Sequence, residues 1–527
     1  MNTKSESAIS STTIRARLFK SSLVVGVMTM LSRVMGLARD VVFANFFGAS
    51  AGADAFFVAF KIPNFFRRLF AEGAFSQAFI PVLADYKRQN VHEVKRLLAS
   101  VAGVLGFILL VFTFVGVIGA PWITALFAPG FIDEPEKYAL AAQMLSITFP
   151  YLMLISLTAF AGAVLNSYGN FAVPAFTPVL LNLVLIASAL FLAPRIDIPV
   201  ISLAWGVLFA GVLQFFFQFP FLLKKGLLPR PRLDYQHEGV QRICKLMVPA
   251  LFGVSVSQIN LLLDTVLASF LTTGSVSWLY YSDRLVELPL GVFGIAIATV
   301  ILPALSANHA EKSDADFSST MDWALRMVIL VGAPAALALV YLAEPLITTL
   351  FHYGALSEHD VAMAAMSLQA YAVGLLAFML IKVLAPGYFS RQDMKTPVKI
   401  GIYAMLANML LNLALIWSLK HVGLALATSL SAVLNAFLLY RGLRAQHVYV
   451  ATAGWALFIV RIGFALILMF VSVAYFAESP ERWLVMSLWE RISQMLILVA
   501  LGISVYFLCL LASGMNLKNL FFQKGRG

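Results

Sequence analysis

Charged side chains sit in this sequence where a hydrocarbon layer would forbid them. An apolar stretch near the start reads Ser32-Arg33-Val34-Met35-Gly36-Leu37-Ala38-Arg39-Asp40. The next carries Asp54, Lys61, Arg67, Arg68 and Glu72, and a later one carries Asp283-Arg284 and Glu287. Facing lipid at a helix centre, each charge would cost about 2.5–3.5 kcal/mol, so the cations of the first two stretches alone would cost on the order of 15 kcal/mol. They must line a wet interior. With side chains turning about 100° per residue, Asp54, Lys61, Arg68 and Glu72 share nearly one stripe, as do Arg33 and Asp40. Arg33 and Arg39 diverge by about 120° on the same geometry, so a bend near Gly36 is expected if both face one cavity. Pro63 and Pro289 offer breaks in the other two stretches.

Two chemistries fit these charges. Asp40, Lys61, Arg68, Asp283 and Glu287 either pair with one another simply to lock helices, or exchange partners as a gate; Asp54 and Glu72 belong with them. Arg33, Arg39, Arg67 and Arg284 outnumber the near acids available to them. Surplus guanidinium suits an anionic substrate, because arginine grips phosphate through paired donors. A different pattern lies further along. Asp264 sits in an apolar run, Leu261 to Phe270, with no basic residue within two turns along the chain. Asn408 and Asn412 are four apart on one helix face, Thr428 follows on the next span, and the Leu424 carbonyl lies one turn before it. These are hard oxygen ligands for a small cation. The competing reading is a protonated, hydrogen-bonded Asp264, with the asparagines tying helices together.

The elements that must position these residues are transmembrane helices. Of 527 residues 61% are hydrophobic and 12% charged, about half the charge of a soluble chain. At roughly 20 residues per span, about fourteen fit: 22–47, 54–84, 97–126, 138–165, 174–193, 199–223, 243–271, 275–306, 321–350, 361–389, 396–418, 421–443, 454–477 and 484–513. Lys and Arg gather in alternate loops (Lys87, Arg88, Lys95 and Arg96; Lys224, Lys225, Arg230 and Arg232; Arg391 and Lys395), which places both termini in the cytoplasm. The polar first twenty residues read as a cytoplasmic tail before an uncleaved helix. Leu180-Leu181-Asn182-Leu183 recurs as Leu410-Leu411-Asn412-Leu413, and Ser167 and Pro174 recur as Ser390 and Pro397. Phe79-Ile80-Pro81 is echoed around Pro303. Spans 1–6 and 7–12 therefore form two lobes of an alternating-access transporter. The expected divisions are a tail (1–21), an N-lobe (22–223), a basic linker (224–242), a C-lobe (243–443), two added helices (444–513) and a tail (514–527). Spans 13 and 14 are apolar all round apart from Arg461, Glu490 and Arg491, which suits packing against lipid or a lipid chain.

Other classes find little support. There is no GxxxxGK[ST] loop, HExxH or nucleophile elbow, so neither ATP hydrolysis nor another enzymatic activity is expected. Cys244 and Cys509 lack CxxC or His neighbours, which argues against a disulfide framework or a metal centre. The net charge of +11 reflects cytoplasmic loops and a cationic interior rather than nucleic acid.

The stretches SRVMGLARD, DAFFVAFKIPNFFRRLFAEGAFSQAFIPVLA, YYSDRLVELP and APGYFSRQDMKTPVKI resemble the MurJ (MviN) family. These are bacterial lipid II flippases of the multidrug/oligosaccharidyl-lipid/polysaccharide exporter superfamily. The similarity runs over nearly the whole chain from about Ser21. It implies two six-helix lobes in a V around a cationic cavity, with the last two helices forming a groove for the lipid tail. It further implies transfer of undecaprenyl-diphosphate-linked peptidoglycan precursor across the bacterial inner membrane; a monomer is expected. The family's important charges match Arg33, Arg39, Asp54, Arg67, Glu72, Asp283 and Arg284. A sodium site in the second lobe is also implied, at positions similar to Asp264, Asn408, Asn412, Leu424 and Thr428. Three rivals remain: a flippase for another polyprenyl-linked oligosaccharide, a multidrug or cation antiporter of the same superfamily, and a membrane enzyme acting on polyprenyl phosphates. The antiporter should carry an acidic, aromatic cavity, and the enzyme acidic or histidine motifs on surface loops.

Overall fold

In a computed structural model the described residues, 3–311 and 313–516, are nearly all helical. The side chains of 3–23, 70–72, 89, 252–257, 261, 295–296 and 298–299 stand outside that description. Two compact units divide at Phe270 and Leu271. Unit 1 holds α1 (Thr3–Phe47), α2 (Ala51–Arg67), α3 (Ser76–Gln89), α4 (Val91–Ile118), α5 (Ala120–Phe127) and α6 (Pro135–Thr148). It continues through α7 (Tyr151–Ser167), α8 (Ala172–Ala187), α9 (Ile201–Phe217), α10 (Phe219–Lys224) and α11 (Glu238–Ser269). Unit 2 holds α12 (Ser275–Pro289), α13 (Ile295–Ala310), α14 (Asp314–Tyr341), α15 (Ala343–Phe351) and α16 (Glu358–Phe389). It ends with α17 (Lys395–Ala445), α18 (Trp455–Phe476), α19 (Pro480–Val485) and α20 (Leu488–Ala512).

Helix starts follow their capping residues. Ser50 Oγ accepts from the Ala53 N–H and Asn90 Oδ1 from the Glu93 N–H, while Ser357 with Asp360 and Ser487 with Glu490 form reciprocal capping boxes. The polar start of the chain is helical from Thr3, and α1 runs through Gly36 as one helix. The segment read as span 2 is interrupted. Between α2 and α3 lies a π-helical turn, Arg68–Phe75, and a second one, Leu290–Gly294, follows Pro289 between α12 and α13. The wider π turn frees backbone groups inside a helix and recurs at functional sites.

Among the described residues nine helical stretches are long and apolar enough to cross a membrane. One of them is α17, which reverses at Lys420 (φ 50°, ψ −129°) and so is two helices folded against each other. Helices α1, α2 and α12, with their charges, are not among the nine. Outward faces are apolar, as with Phe114, Trp122 and Leu126. Contacts inside rest on small residues: a Cβ on Gly116 would come within 1.9 Å of the Phe149 ring, so α4 and α6 meet closely.

The sequence repeat has a backbone counterpart. After α7 the Asn170 N–H donates to the Leu165 carbonyl (3.0 Å), and after α16 the Asp393 N–H donates to the Tyr388 carbonyl (3.1 Å). Each closure passes through a left-handed residue, Gly169 (φ 76°) in unit 1 and Gln392 (φ 63°) in unit 2.

Candidate functional site

In unit 1 the charges sort into small, specific groups. Arg39 is 4% exposed, and its Nη2 and Nε both donate to Asp40 Oδ1, at 2.6 and 2.9 Å. Its Nη1 donates to Asn182 Oδ1 on α8 (3.0 Å), and the guanidinium lies 5.5 Å from the Phe43 ring centre. Asn182 in turn donates to the Ser32 carbonyl (3.1 Å), fastening α8 across α1 on either side of Gly36. Asn182 was legible only as a marker of the repeat. Its work is to orient a buried arginine.

Asp54, 1% exposed in the first turn of α2, pairs with Lys137 Nζ at 3.5 Å. Lys137 also lies 3.4 Å from Glu134 Oε1 and 4.3 Å from the Phe131 ring centre. Arg67 Nε donates to Asn64 Oδ1 (3.2 Å), and Asn64 donates to the Phe60 carbonyl (2.9 Å). Arg33 and Lys61 are half-buried, and Arg68 is exposed at the start of the π turn. The Glu72 side chain lies outside the described residues. The stripe expected from Asp54 to Glu72 assumes a uniform α-helix, and the π turn ends that spacing at Arg68. Asp264 is half-buried on α11, in this same unit.

Unit 2 carries two groups. On α12, Arg284 Nη1 pairs with Glu287 Oε2 (2.9 Å) one turn on, while Nη2 reaches the Tyr280 hydroxyl (3.4 Å). These side chains are about a third exposed, and Asp283 beside them is exposed. On α17, Asn412 Nδ2 donates to Asn408 Oδ1 (2.9 Å), Asn408 Nδ2 to Thr428 Oγ1 (3.4 Å), and Thr428 Oγ1 to the Leu424 carbonyl (3.0 Å). Both asparagines are fully buried. Four of the five residues expected to coordinate a cation are thus contiguous, while Asp264 belongs to unit 1; the oxygens of the four are neutral and hard, which suits an alkali ion. Among the described residues no three of His, Cys, Asp or Glu come together, so nothing there suits a transition metal.

Two buried hubs escape sequence reading. Asp322 on α14, 4% exposed, accepts from Tyr449 Oη (2.5 Å), Trp455 Nε1 (2.7 Å), Arg326 Nε (3.0 Å) and the Thr452 hydroxyl. Burial, then the Asp322 carboxylate, pushes the Tyr449 phenol up, so it stays a proton donor. Arg491 on α20, 5% exposed, donates to the carbonyls of Trp483, Leu484, Thr348 and His352. Together with Tyr506 Oη on the Leu330 carbonyl (2.9 Å), these hubs fasten α18 and α20 to α14 and α15.

Residues 43–494 match the family described as Lipid II flippase MurJ. A protein of Vibrio cholerae named "Probable lipid II flippase MurJ" is 51% identical over 516 residues, covering 96% of this chain and 98% of its own. One of Haemophilus influenzae with the same name is 50% identical over 507 residues, covering 94% and 99%. Burkholderia cenocepacia has a "Lipid II flippase MurJ" 46% identical over 457 residues, covering 86% and 89%. Among solved structures, "Lipid II flippase MurJ, inward closed conformation" aligns with a TM-score of 0.78 at 26% identity, over 95% of this chain and 99% of that one. An inward-facing multidrug resistance MATE family transporter aligns with a TM-score of 0.64 at 14% identity, over 81% and 98%, a likeness of fold alone.

Proposed function

The chain belongs to the lipid II flippase MurJ family, and from that premise we propose which of its residues carry the substrate. It is a membrane-embedded lipid II flippase, and the relatives at about 50% identity favour this over an antiporter. Lipid II joins a diphosphate and glycopeptide headgroup, too polar for hydrocarbon, to a tail that can remain in lipid. Arg33, Arg39, Arg67 and Arg284 hold the diphosphate, each able to offer paired donors. Asp40, Asp54, Lys61, Arg68, Glu72, Asp283 and Glu287 exchange partners as the charged residues open first to one side of the membrane and then to the other. Arg284 is suited to this, since its pairing with Glu287 is half in water and costs little to break.

What carries the reading is the burial of Arg39. A guanidinium kept 4% exposed among membrane helices is costly, and Asp40 and Asn182 fix its orientation. The protein works in the bacterial inner membrane as a monomer, with both termini cytoplasmic and no enzymatic step. The outer faces of α18 and α20 accompany the tail. Asn408, Asn412, Thr428 and the Leu424 carbonyl are the neutral ligands of a sodium ion, and Asp264 is the carboxylate linked to the same energy coupling.

The test is replacement in cells depleted of their own flippase. Alanine at any one of the four arginines should leave the protein in the membrane and trap lipid II on the cytoplasmic leaflet; lysine should rescue poorly. Full growth with alanine at all four positions would remove the diphosphate assignment.

A further inference from the structure

Lys137 is a lysine held where two effects oppose it. It is 4% exposed, so its ammonium has lost nearly all its water. It also stands in the first turn of α6, the positive end of the helix dipole. A chain selected for stability alone would place an apolar residue there, since well-packed hydrophobic groups match or exceed a buried ion pair. The structure shows what the lysine holds. Its ammonium reaches Asp54 on α2 at 3.5 Å and Glu134 at 3.4 Å, and sits 4.3 Å from the Phe131 ring centre.

Phe131 belongs to a short 3₁₀ turn, Pro129–Asp133, which also meets α11. The Gly130 N–H donates to Ser269 Oγ (3.1 Å), and Ser269 Oγ donates to the Val266 carbonyl (2.6 Å). A Cβ on Gly130 would come within 2.3 Å of the Ser269 carbonyl oxygen, so only glycine lets the turn lie this close. One short segment therefore grips the last turn of α11 at Gly130 and, seven residues later, presents the cation that meets Asp54.

We propose that Lys137 is a positioning residue for transport: it holds the Asp54 carboxylate in the first turn of α2 and, through Phe131 and Gly130, ties it to the last turn of α11. The inference rests on the reading that Asp54 takes part in transport. Removing one member of a buried ion pair costs more than removing both, because the remaining charge loses a counter-charge. Either single change then silences the pair, and removing both charges together relieves the burial cost without restoring function.

The experiment compares Lys137→Met, Asp54→Asn and the double variant in cells depleted of their own flippase. It reads membrane-inserted protein and the fraction of lipid II open to a degrading enzyme outside the cells. Each single variant should lose more than tenfold of its flipping per molecule. The double variant should be inserted at wild-type level yet flip no better than Asp54→Asn. Where Lys137→Met fails to insert, the double variant still decides. Restored insertion with wild-type flipping would make the pair a packing device and overturn the proposal. Wild-type flipping by Asp54→Asn alone would instead remove the role of Asp54 on which the inference rests. An inactive Asp54→Asn beside a fully active Lys137→Met would overturn the positioning role alone.

Discussion

The Leu-Leu-Asn-Leu stretch occurs once in each unit, and its asparagine is used for opposite ends. In unit 1 Asn182 accepts from a guanidinium and pins it to Asp40 and α1. In unit 2 Asn412 donates to Asn408, which donates to Thr428, so the same position serves a chain of neutral oxygens. The repeated stretch orients a buried guanidinium in one unit and joins a chain of neutral oxygens in the other. The helix before the π turn differs in the same sense. In α2 the acid is buried against Lys137, whereas in α12 the pair is within one helix and about a third exposed.

The largest effect is expected at Arg39. Arg39→Ala leaves the Asp40 carboxylate buried beside a hole, a change of about 3–5 kcal/mol. Flipping should fall more than tenfold with the protein still in the membrane, and pairing the change with Asp40→Asn should not recover it. Wild-type flipping by that double variant would show that the charge in unit 1 serves packing alone. A smaller effect separates the two asparagines. Asn182→Leu removes a hydrogen bond to a charged group, about 1.5–3 kcal/mol, and should lower flipping about tenfold at every sodium concentration. Asn412→Leu should instead shift the sodium concentration at which flipping is half-maximal. Identical sodium profiles for the two variants would erase the distinction between the units.

The smallest effect is at the matched helix ends. Gln392 holds φ 63° where unit 1 has Gly169, and a left-handed residue other than glycine costs about 1–2 kcal/mol. Gln392→Gly should raise the thermal midpoint of the purified protein, and Gly169→Gln should lower it. Shifts of the same sign would mean that the two closures are not equivalent in energy.

Much of this organisation was legible in the sequence, for reasons tied to particular residues. Charges in apolar stretches must be inside, so Arg33, Arg39, Asp54 and Arg284 stood out by type alone. The repeat was visible because Asn182 and Asn412 lie in nearly identical words, and the Arg284–Glu287 pair because three residues make almost one turn. Partners from distant parts of the chain were hidden. Lys137 reads as one cation after the acidic run Asp133-Glu134-Pro135-Glu136, and only folding brings it to Asp54. Its signal was faint: a lone lysine opening an apolar helix beside three acids. Arg491 looked like an ordinary charge at a helix start, although it closes two helix ends through four carbonyls. The π turns were hidden as well, since neither Pro63 nor Pro289 by itself dictates a wider turn.

The hub at Asp322 imposes an order on how the protein is made. Tyr449 and Trp455, two of its donors, are 127 and 133 residues further along the chain. At roughly 5–20 residues per second, a ribosome needs about 6–27 s to reach them after Asp322 has emerged. Through that interval α14 carries a carboxylate short of most of its final partners, with only Arg326, one turn on, already synthesised. The helix must therefore keep this end at the water's edge and settle to its final depth only when the segment between α17 and α18 arrives. A ribosome pausing before Tyr449 would hold unit 2 half-assembled, and the insertion machinery would have to shelter α14 for that time.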